Sequence, residues 1–191
     1  MKPLNQYIKE KLIINKDYVD VNMLTPKSFD ELRKIIEDRY DKLGPGTKEN
    51  PIDFNDIDVS HINSFYNKYT VKGIFEETKF KYIDISSCDV SNVTNMSHMF
   101  CGCSTLKSVG DLSDWDVYEV TNMSHMFAFC KKFNQDLSSW DVLNVTNIQF
   151  MFYGCISFNQ DISRWDVSNV NTHLCAFNKC PIKKEYKPKF K

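Results

Sequence analysis

Hydrophobic and polar positions along this chain follow a unit of about 25 residues that recurs through its central part. Leu137, Trp140 and Val142 alternate with polar residues, which predicts a short strand with one apolar face. The segment 145–155 then places apolar residues three and four positions apart, the spacing of one helical face. Each unit is therefore predicted to run through a strand, a turn and a short helix, and Asn144, like Asn92 and Asn169 at the equivalent places, is predicted to cap that helix.

The unit keeps a fixed register from copy to copy. Trp-Asp-Val occurs at 115–117, 140–142 and 165–167, Cys88-Asp89-Val90 precedes the first of these by 27 residues, and Ile57-Asp58-Val59 is a fainter copy. We number the repeats 1 to 5 by their aspartates: Asp58, Asp89, Asp116, Asp141 and Asp166. One unit cannot bury its apolar face alone, whereas stacked copies bury Trp on Trp and Phe on Phe. The predicted fold class is an α/β solenoid of about five strand-turn-short-helix coils over residues 51–180.

A longer string of residues carries a family resemblance. Asp-Leu-Ser-Ser-Trp-Asp-Val at 136–142, followed by Asn-Val-Thr-Asn-Ile, Met-Phe-Tyr-Gly-Cys and Ser-Phe-Asn-Gln, resembles the BspA-like leucine-rich repeat family. These repeats are also catalogued as a domain of unknown function in mycoplasma-type surface proteins. The resemblance covers about residues 54–180. It implies a leucine-rich-repeat solenoid used for binding, often on a cell surface.

Two segments flank the repeats. Residues 1–50 are predicted to form a helical cap, because Ser28-Phe29-Asp30-Glu31 fits a capping box and an apolar stripe follows until Gly44. The stripe consists of Phe29, Leu32, Ile35, Ile36 and Leu43, and another short helix is predicted around residues 4–12. Residues 181–191 form a basic tail of five lysines and one glutamate. This tail is interpreted as a solvated or loosely docked end, with stacking of its aromatic residues on bases as the alternative.

Charge and cysteine content narrow the class of protein. The chain has 24 Lys and Arg against 25 Asp and Glu, a net charge of −1, so its overall balance favours neither nucleic acid nor a membrane surface. No apolar run typical of a signal peptide or a membrane span is present, and we predict a cytoplasmic protein. Its seven cysteines are then expected to be free thiols. One per repeat, at 103, 130, 155 and 180, is expected to pack as a small hydrophobic side chain.

The aspartates that number the repeats are the most regular polar feature. One hypothesis is structural: each carboxylate accepts hydrogen bonds from the following turn. The other is a recognition surface for a cationic partner, since residues 86–180 hold nine acidic and five basic side chains. The predicted partner-binding residues are Asp89, Asp114, Asp116, Asp141, Arg164 and Asp166.

No spacing in the sequence indicates catalysis. Cys101-Gly102-Cys103 near His98 is a weak metal signal without a second pair, and His98 and His125 occupy equivalent repeat positions. Nucleophile elbows, phosphate loops and zinc-protease motifs do not occur. We expect no enzyme, no cofactor and no metal.

Two functions remain. The first is a non-catalytic intracellular module that binds another protein through the concave face and edges of the solenoid. The alternative is an inhibitor from a phage or other mobile element that blocks a nucleic-acid-handling host defence enzyme. Its acidic surface would occupy a basic nucleic-acid-binding groove. Direct nucleic-acid binding is disfavoured, no membrane partner is expected, and the oligomeric state stays open.

Overall fold

The computed structural model describes residues 23–190 and confirms the predicted helix. Helix α1 spans Phe29–Leu43. The Ser28 Oγ accepts a hydrogen bond from the Glu31 N–H at 3.2 Å, as a helix N-cap does. The Glu31 carboxylate, however, accepts from the N–H of Lys27 and not from Ser28, at 2.7 Å. The short helix predicted around residues 4–12 lies outside the described residues.

The predicted apolar stripe of α1 is mostly in place. Leu32 and Ile36 are buried, and Phe29 and Ile35 are half-buried against the core. Leu43 was expected to continue the stripe, but it is 61% exposed. It lies in the last turn, beyond the part of the helix that contacts the repeats.

Four two-residue strands lie between α1 and repeat 2. They are β1 (Ile52–Asp53), β2 (Tyr66–Asn67), β3 (Lys72–Gly73) and β4 (Ile83–Asp84). β1 pairs with β4 in parallel, and β2 pairs with β3 antiparallel. This part of the chain is therefore less regular than the repeats that follow it.

From repeat 1 onward, equivalent residues of neighbouring repeats pair in parallel. Single-residue bridges join Ser64, Asn95, Asn122, Asn147 and Thr172 in that order. Alternate N–H groups after each bridge donate to the next repeat; those of His125 and Phe127, for example, donate to Gln149 and Met151 at 2.9 and 3.0 Å. We call residues 57–180, joined in this way, the repeat stack.

The elements inside one repeat differ from the prediction. The main-chain bridge falls at Asn147, inside the segment predicted to be helical, and residues 137–142 form turns instead of a strand. No helix forms over 145–155. Alternate N–H groups there bond to the next repeat, and those between them close tight turns, such as Met151 to Ile148 at 3.0 Å. The three- and four-residue spacing of apolar side chains reflects these turns, because they return a side chain to the core as a helix would.

Aromatic rings form continuous columns in the core, as the repeated sequence predicts. Trp115, Trp140 and Trp165 are stacked with ring centroids 6.3 and 6.4 Å apart, and all three are buried. Each indole N–H donates to a carbonyl of the preceding repeat. A second column at 5.3–5.8 Å contains Phe75, Phe100, Phe127, Phe152 and Phe177.

The basic tail does not lie free in solvent. Ile182 and Pro188 are buried, and a 3-10 helix spans Lys184–Tyr186. The Tyr186 carbonyl accepts from the N–H of Ile162 at 3.0 Å. Docked in this way, residues 182–190 pack against the end of the repeat stack.

Candidate interaction surface

The aspartates that number the repeats all serve as local turn acceptors. Oδ1 of Asp89, Asp116, Asp141 and Asp166 accepts from the N–H two residues later, at 2.9–3.1 Å. The four side chains are exposed. The Ser91 hydroxyl, and then its N–H, hold the pKa of Asp89 below its usual range. The structural hypothesis therefore describes one function of this column, and partner binding through the same carboxylates stays a prediction.

A second acidic column was missed by the sequence analysis. Oδ1 of Asp111, Asp136 and Asp161 accepts from the N–H of the serine two residues later, at 2.8–3.0 Å. All three side chains are exposed. The signal was available, since Asp-Leu-Ser or Asp-Ile-Ser recurs at the 25-residue period. Repeats 3 to 5 thus each expose two regularly placed carboxylates.

Arg164 and Asp114, the other predicted partner-binding residues, are both exposed. Arg164 lines an open depression together with Asp136 and Asp161. The Ser163 hydroxyl and N–H lower the pKa of Asp161, and the charge of Arg164 adds to this effect. The structure therefore places Arg164 beside the second acidic column.

Asparagines connect the repeats, and two different sets do so. Asn122 and Asn147 carry the main-chain bridge, and their side chains accept from the N–H two residues later. Asn92, Asn144 and Asn169, which the sequence suggested as helix caps, instead donate through Nδ2 to a carbonyl of the preceding repeat at 2.8–2.9 Å. The cap prediction is wrong because no helix begins at these positions.

The cysteine column consists of protonated thiols in the core. Sγ of Cys103, Cys130 and Cys155 donates to the carbonyls of Phe75, Phe100 and Phe127 at 2.8–2.9 Å. These thiols are free and buried. Burial raises the pKa of Cys103 to about 11 and that of Cys101, which is half-buried, to about 12. Such thiols are poor nucleophiles, since the thiolate is the reactive form.

Neither metal ligation nor a membrane span is indicated within residues 23–190. No three His, Cys, Asp or Glu side chains in that range are grouped so that they could hold a metal ion. No helix in the same range combines the length and apolar character that crossing a bilayer requires.

A stacked ladder of rings lies on the turns beside the bridges. Tyr66, His98, His125 and Phe150 stack with centroids 5.2, 4.4 and 5.0 Å apart. Nδ1 of both histidines is buried without a hydrogen-bond partner in the described part of the chain. Burial lowers the pKa of both imidazoles, and the neighbouring His98 lowers that of His125 further.

An aromatic cluster that is exposed at Phe129 adjoins this ladder. The Phe129 ring lies 5.3 Å from that of Tyr153, which in turn lies 5.5 Å from that of Phe150. Lys179 Nζ lies 5.2 Å above the Tyr153 ring. Phe129 is 47% exposed, and its backbone φ of 61° is in the left-handed region. We call Phe129, Phe150 and Tyr153 the turn-face cluster; sequence reasoning missed it because only Phe150 and its equivalents His98 and His125 follow the repeat.

Comparison with known proteins gives a match to a family model. No curated protein and no solved structure matches the chain. The family described as "Mycoplasma protein of unknown function, DUF285" matches residues 69–188, well over half of the chain. The matched range contains repeats 2 to 5 and most of the docked tail. The chain therefore belongs to the DUF285 family.

Proposed function

We propose that this protein is a non-catalytic, intracellular protein-binding module, and that its repeat stack is a solenoid of the BspA-like leucine-rich-repeat type. The regularly repeated main-chain bonds between repeats and the continuous ring columns support the solenoid. The raised pKa values of the buried thiols support a role without nucleophilic chemistry. A rigid repeat scaffold provides an extended surface for a partner.

The observation that carries the binding function is the backbone of Phe129. The equivalent positions in repeats 2 and 4 are Gly102 and Gly154, with φ of 73° and 71°. A bulky residue in this conformation costs about 1–2 kcal/mol. Nearly half of Phe129 stays in water, so burial offsets only part of that cost. Strain retained at an exposed aromatic residue supports a role in binding, where aromatic side chains are enriched.

The test uses a substitution that removes the ring and relieves the backbone. Phe129→Gly places in repeat 3 the residue that repeats 2 and 4 already have, so we expect the free energy of unfolding to change by less than about 1 kcal/mol. Proteins captured from the native cell by the wild type are identified, purified and titrated against both variants. We expect Phe129→Gly to weaken binding at least about tenfold.

A matched control comes from another exposed aromatic residue. Tyr118 is 45% exposed and lies beside the acidic column, away from the turn-face cluster. Tyr118→Ser should leave the affinity unchanged. A partner that binds wild type and Phe129→Gly equally well would refute the assignment of the turn-face cluster.

The inhibitor function is a second candidate, and the second acidic column favours it. Asp111, Asp136 and Asp161 are exposed in addition to the predicted column of aspartates. The acidic surface of repeats 3 to 5 therefore holds more carboxylates than the sequence predicted. Such a surface suits a partner with a basic nucleic-acid-binding groove.

Charge-neutral substitutions test this candidate without disturbing the turns. Asn keeps the side-chain oxygen that accepts the turn hydrogen bond, so Asp116→Asn with Asp141→Asn should leave the fold intact. If the inhibitor function holds, the double variant binds the captured partner more weakly, the loss is largest at low salt, and nucleic acid competes. Unchanged binding together with a lower Tm would leave the column a purely structural role.

A further inference from the structure

Main-chain hydrogen bonds of two directions close the internal boundaries of the repeat stack. Before each bridge, one carbonyl accepts from the following repeat, as that of Thr121 does from the N–H of Thr146 at 2.9 Å. After the bridge, a longer row of N–H groups of one repeat donates to carbonyls of the following repeat. At the last boundary the donors are Ile148, Phe150, Phe152 and Gly154, and the acceptors, at 2.8–3.0 Å, are Thr172, Leu174, Ala176 and Asn178. Repeat 5 has therefore used these carbonyls, while its N–H groups equivalent to the donors of repeat 4 belong to the side where a following repeat would lie.

The corresponding N–H groups of repeat 5 have no acceptor within residues 23–190. They belong to His173, Cys175, Phe177 and Lys179, which we call the donor edge. The backbone keeps the conformation of the inner repeats, with φ of 55° at Cys175 and 57° at Lys179. The short turns between them are also retained, such as the N–H of Asn178 to the carbonyl of Cys175 at 3.2 Å. The donors are thus held in the arrangement that binds an extended chain elsewhere in the molecule.

The docked tail covers side chains next to this edge and leaves its donors without an acceptor in the described part of the chain. The Phe190 ring stacks on His173 at 4.3 Å and lies tilted over Phe177 at 6.4 Å. Lys187 Nζ lies 5.6 Å from the Phe177 ring. The tail therefore replaces the side-chain packing of a further repeat, while no carbonyl of the tail up to residue 190 replaces its main chain.

We propose that the donor edge binds an extended, acidic segment of a partner protein, which adds to the repeat stack as one more strand. The edge requires carbonyl groups at alternate residues, as an extended segment presents them. Lys179 is part of the edge, and Lys183, Lys184, Lys187 and Lys189 follow it against a single acidic residue, Glu185. This positive charge selects an acidic segment. The inference rests on the proposed protein-binding function and names the partner's chemistry.

A second copy of the chain is the other conceivable occupant, and the opposite end of the stack disfavours it. There, Arg33 of α1 donates to the carbonyls of Gly73, Ile74 and Glu76 at 3.0–3.1 Å. Of these, the carbonyls of Ile74 and Glu76 occupy the acceptor positions of the repeat and would have to pair with the donor edge of another copy. Head-to-tail stacking would therefore require α1 to leave its place.

Amide hydrogen exchange of the full chain, followed by NMR, tests the proposal at the main-chain groups themselves. In the free protein, the N–H groups of Cys175, Phe177 and Lys179 should exchange faster than their bonded equivalents Phe150, Phe152 and Gly154. The probe is a peptide of about eight residues that alternates threonine and glutamate. Saturating peptide should slow exchange at the donor edge by about tenfold or more, because the amides then have an acceptor.

Charge variants complete the experiment. Lys179→Gln with Lys187→Gln should weaken binding of the glutamate peptide about fivefold or more at low salt. Lys131→Gln with Lys132→Gln, on exposed residues of repeat 3, should not. A threonine-lysine peptide should not bind.

Three results would overturn the proposal: equal binding of both peptides, peptide binding without slower exchange at the donor edge, or slow exchange there that depends on protein concentration alone. The last would assign the edge to a second copy. Phe129→Gly leaves the donor edge unchanged, so a failure here and a failure of the turn-face cluster are separate results.

Discussion

The two ends of the repeat stack are closed by different means. At the N-terminal end, α1 buries Leu32 and Ile36 against the core, and its Arg33 hydrogen-bonds three main-chain carbonyls of the first repeat. At the C-terminal end, the tail covers His173 and Phe177 with Phe190, but the N–H groups of the donor edge keep no acceptor among residues 23–190.

The difference shows that a repeat has two separate requirements at an open end. Its apolar side chains must be covered, and its main-chain groups must be paired or left in contact with water. One long arginine meets the second requirement at the N-terminal end, since a guanidinium carries five donors and carbonyls are acceptors. The lysines of the tail are donors as well, so they cannot pair with N–H groups. A cationic side chain can therefore pair with the carbonyls left open at the N-terminal end, and it cannot pair with the N–H groups of the donor edge.

The largest expected effect is at the N-terminal end. Arg33→Ala removes the side-chain hydrogen bonds to three carbonyls, and we expect the free energy of unfolding to fall by about 2–3 kcal/mol in urea denaturation. Lys34→Ala, an exposed neighbour on the same helix, should change it by less than about 0.5 kcal/mol. Equal effects of the two substitutions would mean that α1 covers the stack through its apolar side chains alone.

A smaller loss is expected at the C-terminal end. Phe190→Ala uncovers the rings of His173 and Phe177, which should lower the free energy of unfolding by about 1–2 kcal/mol, less than for a fully buried ring. Lys189→Ala, at the exposed preceding position, is the control. A null result for Phe190→Ala would show that buried Ile182 and Pro188 hold the tail without it.

The smallest expected effect concerns the middle of the repeat stack, where His98 and His125 stack on each other. Burial lowers the folded-state pKa of His98 and His125 below the ordinary value of 6.5, so the unfolded chain takes up protons first as the pH falls. The two neutral histidines therefore contribute fully to the free energy of unfolding above pH 6.5, and this contribution is lost as the pH drops below that value. We expect Tm to fall by about 2–4 °C between about pH 7.5 and about pH 5.5.

Phenylalanine at both positions provides the control for this pH dependence. Phe150 occupies the equivalent place in repeat 4 with φ of 56°, close to the 59° of both histidines. His98→Phe with His125→Phe should flatten the pH profile of Tm, and every other side chain is the same in the two proteins. Parallel profiles for the two proteins would contradict a role of the histidine pair.

Prediction succeeded where a residue's role depends on its immediate neighbours and on the repeat. The cap at Ser28, the burial of the three tryptophans and the turn acceptance by Asp89 follow from short-range chemistry or from stacking of identical units. It failed for the secondary structure of the repeat, because tight turns and a short helix space apolar side chains alike. Hydrogen bonds between repeats, such as that from the Phe127 N–H to the Met151 carbonyl, distinguish these turns from a helix.

The sequence by itself determined the period of the repeat, the residues that fill the core columns, and the position of the helix before them, since these depend on local spacing and on copies burying one another. The tertiary structure alone decided where main-chain groups find partners. Arg33 meets carbonyls some 40 residues away, a tail predicted to be solvated or loosely docked covers the last rings, and a phenylalanine takes a glycine's place on the turn face. Such pairings join parts of the chain that no local pattern relates, because hydrogen-bond direction along a ladder is a property of the assembled fold.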